Sequence, residues 1–153
     1  MRKLTAISKH LQQVTGMQRE RFFAFADQGT LLPTGRNLGN GVEVGIFKYD
    51  AVIQIERYPG DAYHLLAVIA AWLADNDPDR DDAGLVDPDI DINLNDDETA
   101  DVDLSIEFEE RIEIVPQDGG VIAFNGRSWA VVDVPIDVAE AVDDMDGEAD
   151  AGA

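Results

Sequence analysis

Several ingredients of common active and binding sites are scarce or missing in this sequence. It contains no cysteine, which excludes disulfide bonds, thiolate metal ligands and cysteine nucleophiles. Its two histidines, His10 and His64, have no companion at the spacing of a metal site or a catalytic pair. The glycine-rich stretch 35–45 lacks the lysine of a phosphate-binding loop. We therefore expect a protein that is not an enzyme and has no cofactor.

Long hydrophobic runs are also absent. The longest apolar stretch, residues 65–74, is about half the length that a membrane span needs. The first residues, 1–5, turn polar quickly and lack the apolar run of a signal peptide. We expect a soluble protein that is made in the cytoplasm and has no membrane partner.

Positive charge is scarce after the first 60 residues. The formal net charge is −21, with eight Lys/Arg against five Asp/Glu in residues 1–60 and three Arg against 27 acidic residues in 61–153. Such a chain would repel the phosphates of nucleic acid, so no nucleic-acid partner is expected. The acidic excess has two interpretations: a solvated surface suited to a salt-tolerant host, or a face that recognises a specific partner.

Apolar residues at three- and four-residue steps predict two helices. In the first, these residues are Leu4, Ile7, Leu11 and Val14, and Gly16 provides the stop. The second is predicted from an N-cap at Asp61 to about residue 75. Its broad apolar stripe, which is typical of a helix laid on a sheet, comprises Leu65, Leu66, Ile69, Trp72 and Leu73.

Alternating apolar and polar residues predict strands at 47–56, 90–94 and 102–114. In the longest of these, Glu110 interrupts the apolar face. The other face of this strand is acidic, so the sheet is expected to be covered on one side only. The prediction is an α+β fold: a mostly antiparallel twisted sheet of four to six strands with two helices packed on one face.

Turn-forming residues divide the rest of the chain. Residues 22–25 are predicted to form a short strand that turns at 27–29, and the stretch up to residue 45 is predicted to be mainly loop.

The C-terminal part is predicted to contain a late β-hairpin at 121–134, because the pair Asn125-Gly126 favours a two-residue turn. Beyond it, 136–153 is expected to be an acidic, flexible and disordered tail. The remainder, 1–135, is predicted to be a single domain.

Four acidic residues match part of a calcium-binding loop. Asp87, Asp89, Asp91 and Glu98 have the spacing of EF-hand positions 1, 3, 5 and 12. However, Ile92 occupies the position where a glycine is needed for the sharp turn, and its apolar neighbours favour an extended strand. We therefore expect a solvated acidic strand and no metal site.

Three short segments within residues 1–115 resemble a known family. They are Met1-Arg2-Lys3-Leu4-Thr5 with Ala6, then Ala70-Ala71-Trp72-Leu73 running into Asp75-Asn76-Asp77-Pro78-Asp79, then Asp103-Leu104-Ser105-Ile106-Glu107 with Glu110-Arg111-Ile112 behind it. In this order and spacing they resemble the GpR-type tail completion proteins of temperate phages with contractile tails. The hairpin at 121–134 and the acidic tail are not part of that pattern.

The resemblance implies a virion protein at the head-proximal end of the tail. Such proteins stop polymerisation of the tail tube and sheath and offer a surface to the head–tail connector and neck proteins. Related tail terminators form rings, commonly hexamers, and the family has no catalytic residues to carry over. The alternative from the residues themselves is an acidic adaptor that mimics a polyanion and binds a basic protein.

In a ring of this kind, basic and acidic regions of one chain could meet across each contact. We therefore expect Arg19, Arg21, Arg36 and Arg57 to face acidic strand residues of a neighbouring subunit or of the tube protein. Trp129 is a further interface candidate, because a late hairpin could project from the sheet.

Overall fold

The computed structural model describes residues 1–132, which form two α-helices and six strands. Their bounds are α1 (Arg2–Thr15), β1 (Phe22–Asn37), β2 (Val42–Tyr58), α2 (Ala62–Asn76), β3 (Asp89–Leu94), β4 (Ala100–Pro116), β5 (Ile122–Phe124) and β6 (Arg127–Val131). A 3₁₀ turn, Arg19–Arg21, precedes β1. The expected tail at 136–153 lies outside the described residues, and the single domain over 1–135 stays a prediction.

Both predicted helices are confirmed, and the first ends where its sequence indicates. Leu4, Ile7 and Leu11 are buried on one side of α1. Gly16 ends the helix with a φ of 67°, a left-handed conformation that glycine adopts without a steric penalty. Val14, expected on the same stripe, remains 43% exposed.

Helix α2 begins at the predicted cap. The Asp61 carboxylate accepts a hydrogen bond from the backbone N–H of Tyr63 at 3.0 Å, which satisfies one of the free donors of the first turn. The buried side of the helix comprises Leu65, Ile69, Trp72 and Leu73.

The strands form one antiparallel sheet in which β2 pairs with β1 on one side and with β4 on the other. Strands β3 and β6 both pair with the far side of β4, and β5 pairs with β6. The core lies between the two helices and one face of β2 and β4, as the fold prediction expected. Its strand residues include Tyr49, Ala51, Ile53, Ile55, Val102, Leu104, Ile106 and Phe108.

The late hairpin is confirmed within the described residues, with Asn125 and Gly126 at φ values of 55° and 75°. These positive values are those of a type I′ turn, which matches the twist of the flanking strands.

The stretch predicted to be mostly loop is instead the second part of a long strand. Strand β1 continues to Asn37, with register shifts against β2 between Asp27 and Thr30 and between Pro33 and Arg36. The turn-forming residues at 28–29 and 34–35 therefore form bulges, which insert residues without ending the strand. Residues 38–41 do form a turn, which joins β1 to β2. Pro33 is compatible with this position because β1 lies at the edge of the sheet.

Candidate interaction surface

A group of polar side chains joins the start of α1 to β2, to β4 and to the segment after α2. This polar cluster comprises Lys3, Tyr49, Asp77, Arg80 and Glu110. The Glu110 carboxylate accepts hydrogen bonds from the backbone N–H groups of Arg2 at 3.0 Å and Lys3 at 3.1 Å. It thereby caps α1 from a distant strand, and its negative charge lies at the positive end of the helix dipole. The polar interruption in the apolar face of β4 has this structural explanation.

The Tyr49 hydroxyl is the second partner of Glu110. It donates a hydrogen bond to the Glu110 carboxylate and accepts one from the backbone N–H of Leu4 at 3.3 Å. Burial, followed by the hydrogen bond to Glu110, raises the pKa of Tyr49 above its ordinary value. The phenol therefore remains a hydrogen-bond donor at neutral pH and holds α1 against the sheet.

Asp77 is the other carboxylate of the cluster and is only 5% exposed. It accepts from Lys3 Nζ at 2.8 Å and from the Arg80 guanidinium at 2.7 Å. Arg80 also donates to the backbone carbonyls of Val86 at 2.8 Å and Glu107 at 3.2 Å. A buried carboxylate requires such compensation, so these side chains serve to hold the segment after α2 against β4.

Three of the four predicted interface arginines, Arg19, Arg21 and Arg57, lie at the end of the sheet where β1 begins. The Arg21 guanidinium donates to the Arg57 carbonyl at 3.3 Å, and the Arg57 guanidinium pairs with Asp97 in the β3–β4 turn. Within residues 1–132, Arg19 has neither an ion pair nor a hydrogen bond from its side chain. Of the three, Arg19 is therefore the most available to another molecule.

Two exposed carboxylates near Arg57 are held in their ionised form. The Thr99 side chain donates to Asp97 and lowers the pKa of this carboxyl, and Arg57 adds to the effect. For Asp101, the backbone N–H of Arg57 lowers the pKa most, followed by the Asn95 side chain. Arg57 thus already interacts with its own chain on two sides.

Arg36 lies near the other end of β1, roughly 45 Å away along the extended strand. It pairs with the Glu43 carboxylate at 3.0 Å, and Glu43 is 1% exposed whereas the Arg36 side chain is 61% exposed. The structure therefore brings three of the predicted arginines together and separates the fourth.

Trp129 is buried within its hairpin, with 6% of its surface exposed. Its indole N–H donates to the Phe124 carbonyl at 2.7 Å, and the two rings meet edge to face. The Arg127 guanidinium lies over the indole, 5.5 Å from the ring centre. The interface role of Trp129 stays a prediction, and within this chain the side chain packs the hairpin.

Strand β1 is an edge strand that exposes large apolar side chains. In the described part of the chain its only sheet neighbour is β2. The side chains that are between 44% and 58% exposed are Phe23, Phe25, Leu31 and Leu32. Soluble proteins usually shield long apolar edges, because the free N–H and C=O groups can pair with another chain. Residues 22–37 with these side chains are hereafter the β1 edge.

Sequence reasoning did not predict that these four side chains share one edge. Leu31 and Leu32 lie in the stretch that was expected to be mainly loop, whereas Phe23 and Phe25 lie in a strand that was predicted without its place in the sheet. Their density was a usable signal, since two pairs of large apolar residues lie within ten positions of one another. Only the strand pairing shows that they share an unprotected edge.

The uncovered face of the sheet becomes acidic away from β1. Asp103 in β4 lies opposite Asp91 in β3, and Glu107 in β4 lies opposite Asp50 in β2. Asp50 in turn lies opposite Asp27. Like charges at directly opposed positions destabilise a sheet, so this face has an energetic cost in the isolated chain.

Residues 1–132 contain no group of three or more His, Cys, Asp or Glu residues placed to hold a metal ion. The segment with partial calcium-loop spacing is strand β3, as its apolar alternation predicted. His10 is partly exposed on α1, and His64 is exposed near the start of α2. No helix in the described part of the chain is long and apolar enough to cross a membrane.

The model of the family described as P2 phage tail completion protein R (GpR) matches residues 1–133. The chain belongs to the GpR family. It is also similar to an uncharacterized 19.2 kDa protein of the rep-hol intergenic region of Haemophilus phage HP1 (strain HP1c1). The two are 29% identical over 126 residues, which are 80% of this chain and 76% of that protein. No solved structure is significantly similar to the chain.

The match confirms the GpR family and is wider than the resemblance, because it includes the hairpin as far as residue 133. The three segments that carried the resemblance meet in the folded chain. Lys3 comes from the first segment, Asp77 from the second and Glu110 from the third, and all three belong to the polar cluster. GpR membership supports a structural role in phage tail completion and a location in the virion tail. The polar cluster stabilises the fold by holding α1 and the segment after α2 against the sheet. The β1 edge is the best candidate for contact with other chains.

Proposed function

We propose that this protein completes the phage tail as a closed ring at the head-proximal end. In this position it stops polymerisation of the tail tube and sheath and offers a surface for joining the contractile tail to the head. Its partners are then the tube protein, the sheath protein, the connector or neck proteins, and further copies of itself in a six-membered ring. The observation that carries the proposal, given the GpR family, is the β1 edge, because its unpaired backbone and exposed apolar side chains suit a permanent contact.

The charge distribution supports contacts between unlike regions. The basic end of β1 carries Arg19 and Arg21, whereas the far side of the sheet is acidic. A head-to-tail contact between identical subunits joins two different surfaces, so opposite charges can meet at every contact of a ring. Arg36 and Arg57 can contribute to the same contacts or to contacts with the tube, although each already has an acidic partner in its own chain.

The acidic adaptor remains a second candidate function because of the opposed carboxylates on the uncovered face. Pairs such as Asp91 with Asp103 and Asp27 with Asp50 cost folding energy, and a cationic partner would relieve that cost. In this reading the acidic face binds a basic protein, and the β1 edge plays no part.

The test is complementation of a phage of this family that lacks its own copy of the gene. Without the gene, we expect tails of uncontrolled length that do not join heads, and the wild-type chain should restore both properties. An Arg19→Glu variant should restore them poorly, because it reverses the one predicted interface arginine without a described partner. Lys9→Glu, the same charge change on the exposed side of α1, is the matched control and should behave like the wild type.

A complementary measurement is the mass of the purified protein by light scattering, alone and with tube protein, at low and moderate salt. Formation of a ring alone or on tube ends supports the proposal. Normal tails joined to heads in the absence of the gene would contradict it. A chain that ignores tubes but binds polylysine in a salt-sensitive manner would favour the adaptor.

A further inference from the structure

Within residues 1–132 three strands of the sheet have a single neighbour, and two of them, β1 and β3, are longer than the three-residue β5. The β1 edge belongs to a strand that is 16 residues long, and the outer side of β3 is a second free edge, which is six residues long. Each of these strands has a single sheet neighbour in the described chain, namely β2 for β1 and β4 for β3. Both edges therefore present backbone groups that a strand of another molecule could pair with.

The two free edges run in opposite directions. Strand β1 is antiparallel to β2, β2 to β4, and β4 to β3, so β1 and β3 are antiparallel to each other. A second copy related by rotation about an axis along the strands would place its β1 beside the β3 of the first copy, and the pair would be antiparallel. The sheet could thus continue from copy to copy with the same pairing that it uses within the chain.

The two edges also lie at the same level of the sheet. The pairing registers place Phe23 in one row with Asp91 and Phe25 in one row with Asp89. The first straight part of β1, residues 22–27, has the same length as β3 and ends where the register shifts. Continuation of these rows would therefore pair residues 89–92 of β3 with residues 22–25 of β1, before the bulge of β1 begins.

Charge favours contact between unlike edges over contact between like edges. Arg19 and Arg21 lie at the start of β1, and the exposed side chains of β3 include Asp89 and Asp91. Pairing of β3 with β3 would bring these aspartates together, and pairing of β1 with β1 would give Arg19 and Arg21 no acidic strand to face.

We propose that the partner of the β1 edge is the β3 edge of a second copy of this chain. The contact is antiparallel strand pairing in which Asp91 lies beside Phe23. Arg21 is two residues before Phe23, so the basic start of β1 approaches Asp91 of the neighbouring copy. It is heterologous, so repetition around an axis gives either a ring or a filament. Its closure into a ring rests on the proposed function, whereas the pairing of the two edges does not.

The first test reverses the charge of each edge separately and then mixes the products. One variant carries Arg19→Glu and Arg21→Glu, and the other carries Asp89→Lys and Asp91→Lys. Each alone should self-associate about tenfold or more weakly than the wild type, because like charges face each other at every contact. An equimolar mixture should recover association, because each variant then supplies the edge that the other needs.

The matched control reverses two charges outside the paired rows, with Glu109→Lys in the inner strand β4 and Asp118→Lys in the loop after β4. Neither residue lies beside β3 or beside residues 22–25 of β1, so association should remain within about twofold of the wild type. Circular dichroism and thermal unfolding of every variant separate loss of association from loss of folding.

The second test uses the absence of cysteine in the natural chain. Phe23→Cys and Asp91→Cys are introduced in separate chains and mixed under mild oxidation, alone and with tube protein. Disulfide-linked pairs should form between the two variants and be scarce with either variant alone. Abundant cross-linking of Phe23→Cys with itself would indicate a β1–β1 dimer and overturn the inference.

The remaining outcomes separate this inference from the proposed function. A chain that stays monomeric both alone and on tubes, or an assembly that is indifferent to both charge reversals, overturns the edge pairing even if the phage still needs the protein for its tails. Association that follows the predicted pattern, in a protein whose loss leaves tail length and head joining normal, supports the edge pairing and overturns the proposed function.

Discussion

The polar cluster and the β1 edge satisfy their hydrogen-bonding groups in opposite ways. In the cluster, Glu110 accepts from two backbone N–H groups of α1 and from Tyr49, so these donors find partners inside the chain. On the β1 edge, a long strand has sheet pairing on one side only, and its large apolar side chains remain about half exposed. The first region is complete by itself, and the second is the kind of surface that a partner completes.

This difference separates the residues that hold the fold from those proposed to meet other chains. The segments that resemble the GpR family supply Lys3, Asp77 and Glu110 to the cluster. The β1 edge draws on none of them. A short sequence pattern can therefore identify a family through residues that serve folding, while the proposed contact surface lies elsewhere.

The largest effect on stability is expected from Glu110→Ala. The change removes the cap of α1, worth about 1 kcal/mol, and leaves the Tyr49 hydroxyl without its acceptor, at about 1–3 kcal/mol. We expect a loss of about 2–4 kcal/mol in the free energy of unfolding, measured by urea denaturation. Glu109→Ala is the control, because its side chain is on the uncovered face and only its carbonyl binds Lys3. Equal losses of unfolding free energy for Glu110→Ala and Glu109→Ala would show that the polar cluster does not stabilise the fold more than the uncovered face does.

Tyr49→Phe should have the next largest effect, about 1–2 kcal/mol, because it leaves the Leu4 N–H without a partner and removes one of the two hydrogen bonds to Glu110 Oε2. The folded-state pKa of Tyr49 is raised, so its contribution is fully present below about pH 10 and is lost as the pH rises further. The wild type should therefore lose stability more steeply than the variant above that pH. Tyr63→Phe, at a side chain that is 80% exposed, should change little.

A smaller effect is expected in acid at the end of the sheet where β1 begins. The folded-state pKa values of Asp97 and Asp101 are lowered from 3.8, so their contribution is present above that value and is lost as the pH falls through the folded pKa values. Asp101→Asn should make the decline of stability below about pH 4 less steep. Asp118→Asn is a control at a distant loop. An identical acid profile for the wild type and Asp101→Asn would argue against a contribution from this carboxylate.

The smallest effect on stability is expected on the β1 edge itself. Phe25→Ser should cost about 1 kcal/mol or less, because the side chain is already 47% exposed. The same variant should nevertheless weaken self-association measured by light scattering. A loss of association without a large loss of stability would distinguish the β1 edge from the polar cluster. Gln54→Ser, on the same face of the inner strand β2, should alter neither property. A large loss of stability with unchanged association would reverse the roles assigned to the two regions.

Local patterns were sufficient to predict much of the fold. The three-to-four-residue spacing of Leu4, Ile7 and Leu11 predicts α1, and the carboxylate of Asp61 predicts the start of α2, because both depend on neighbours within one helical turn. The alternation in β3 and β4 and the pair Asn125-Gly126 were equally informative. These predictions were confirmed because local geometry and the tertiary fold agree at these positions.

Residues 28–45 show where local patterns fail. Gln28 and Gly29 have the composition of a turn, but pairing of the flanking residues with β2 makes them a bulge. The energy of that long-range pairing outweighs the local preference, and no spacing along the chain reports it. The strand position of Leu31 and Leu32 was missed for the same reason, and no local pattern indicates that Arg36 lies far from the other arginines.

The sequence by itself determined the two helices, most strands, the acidic balance and the GpR resemblance, because each depends on composition or on residues near one another along the chain. Only the tertiary structure decided that Glu110 caps a helix more than 100 residues away, that Asp77 binds Lys3, and that β1 ends the sheet with its apolar side chains exposed. These properties arise from contacts between distant segments, and such contacts exist only after the chain has folded.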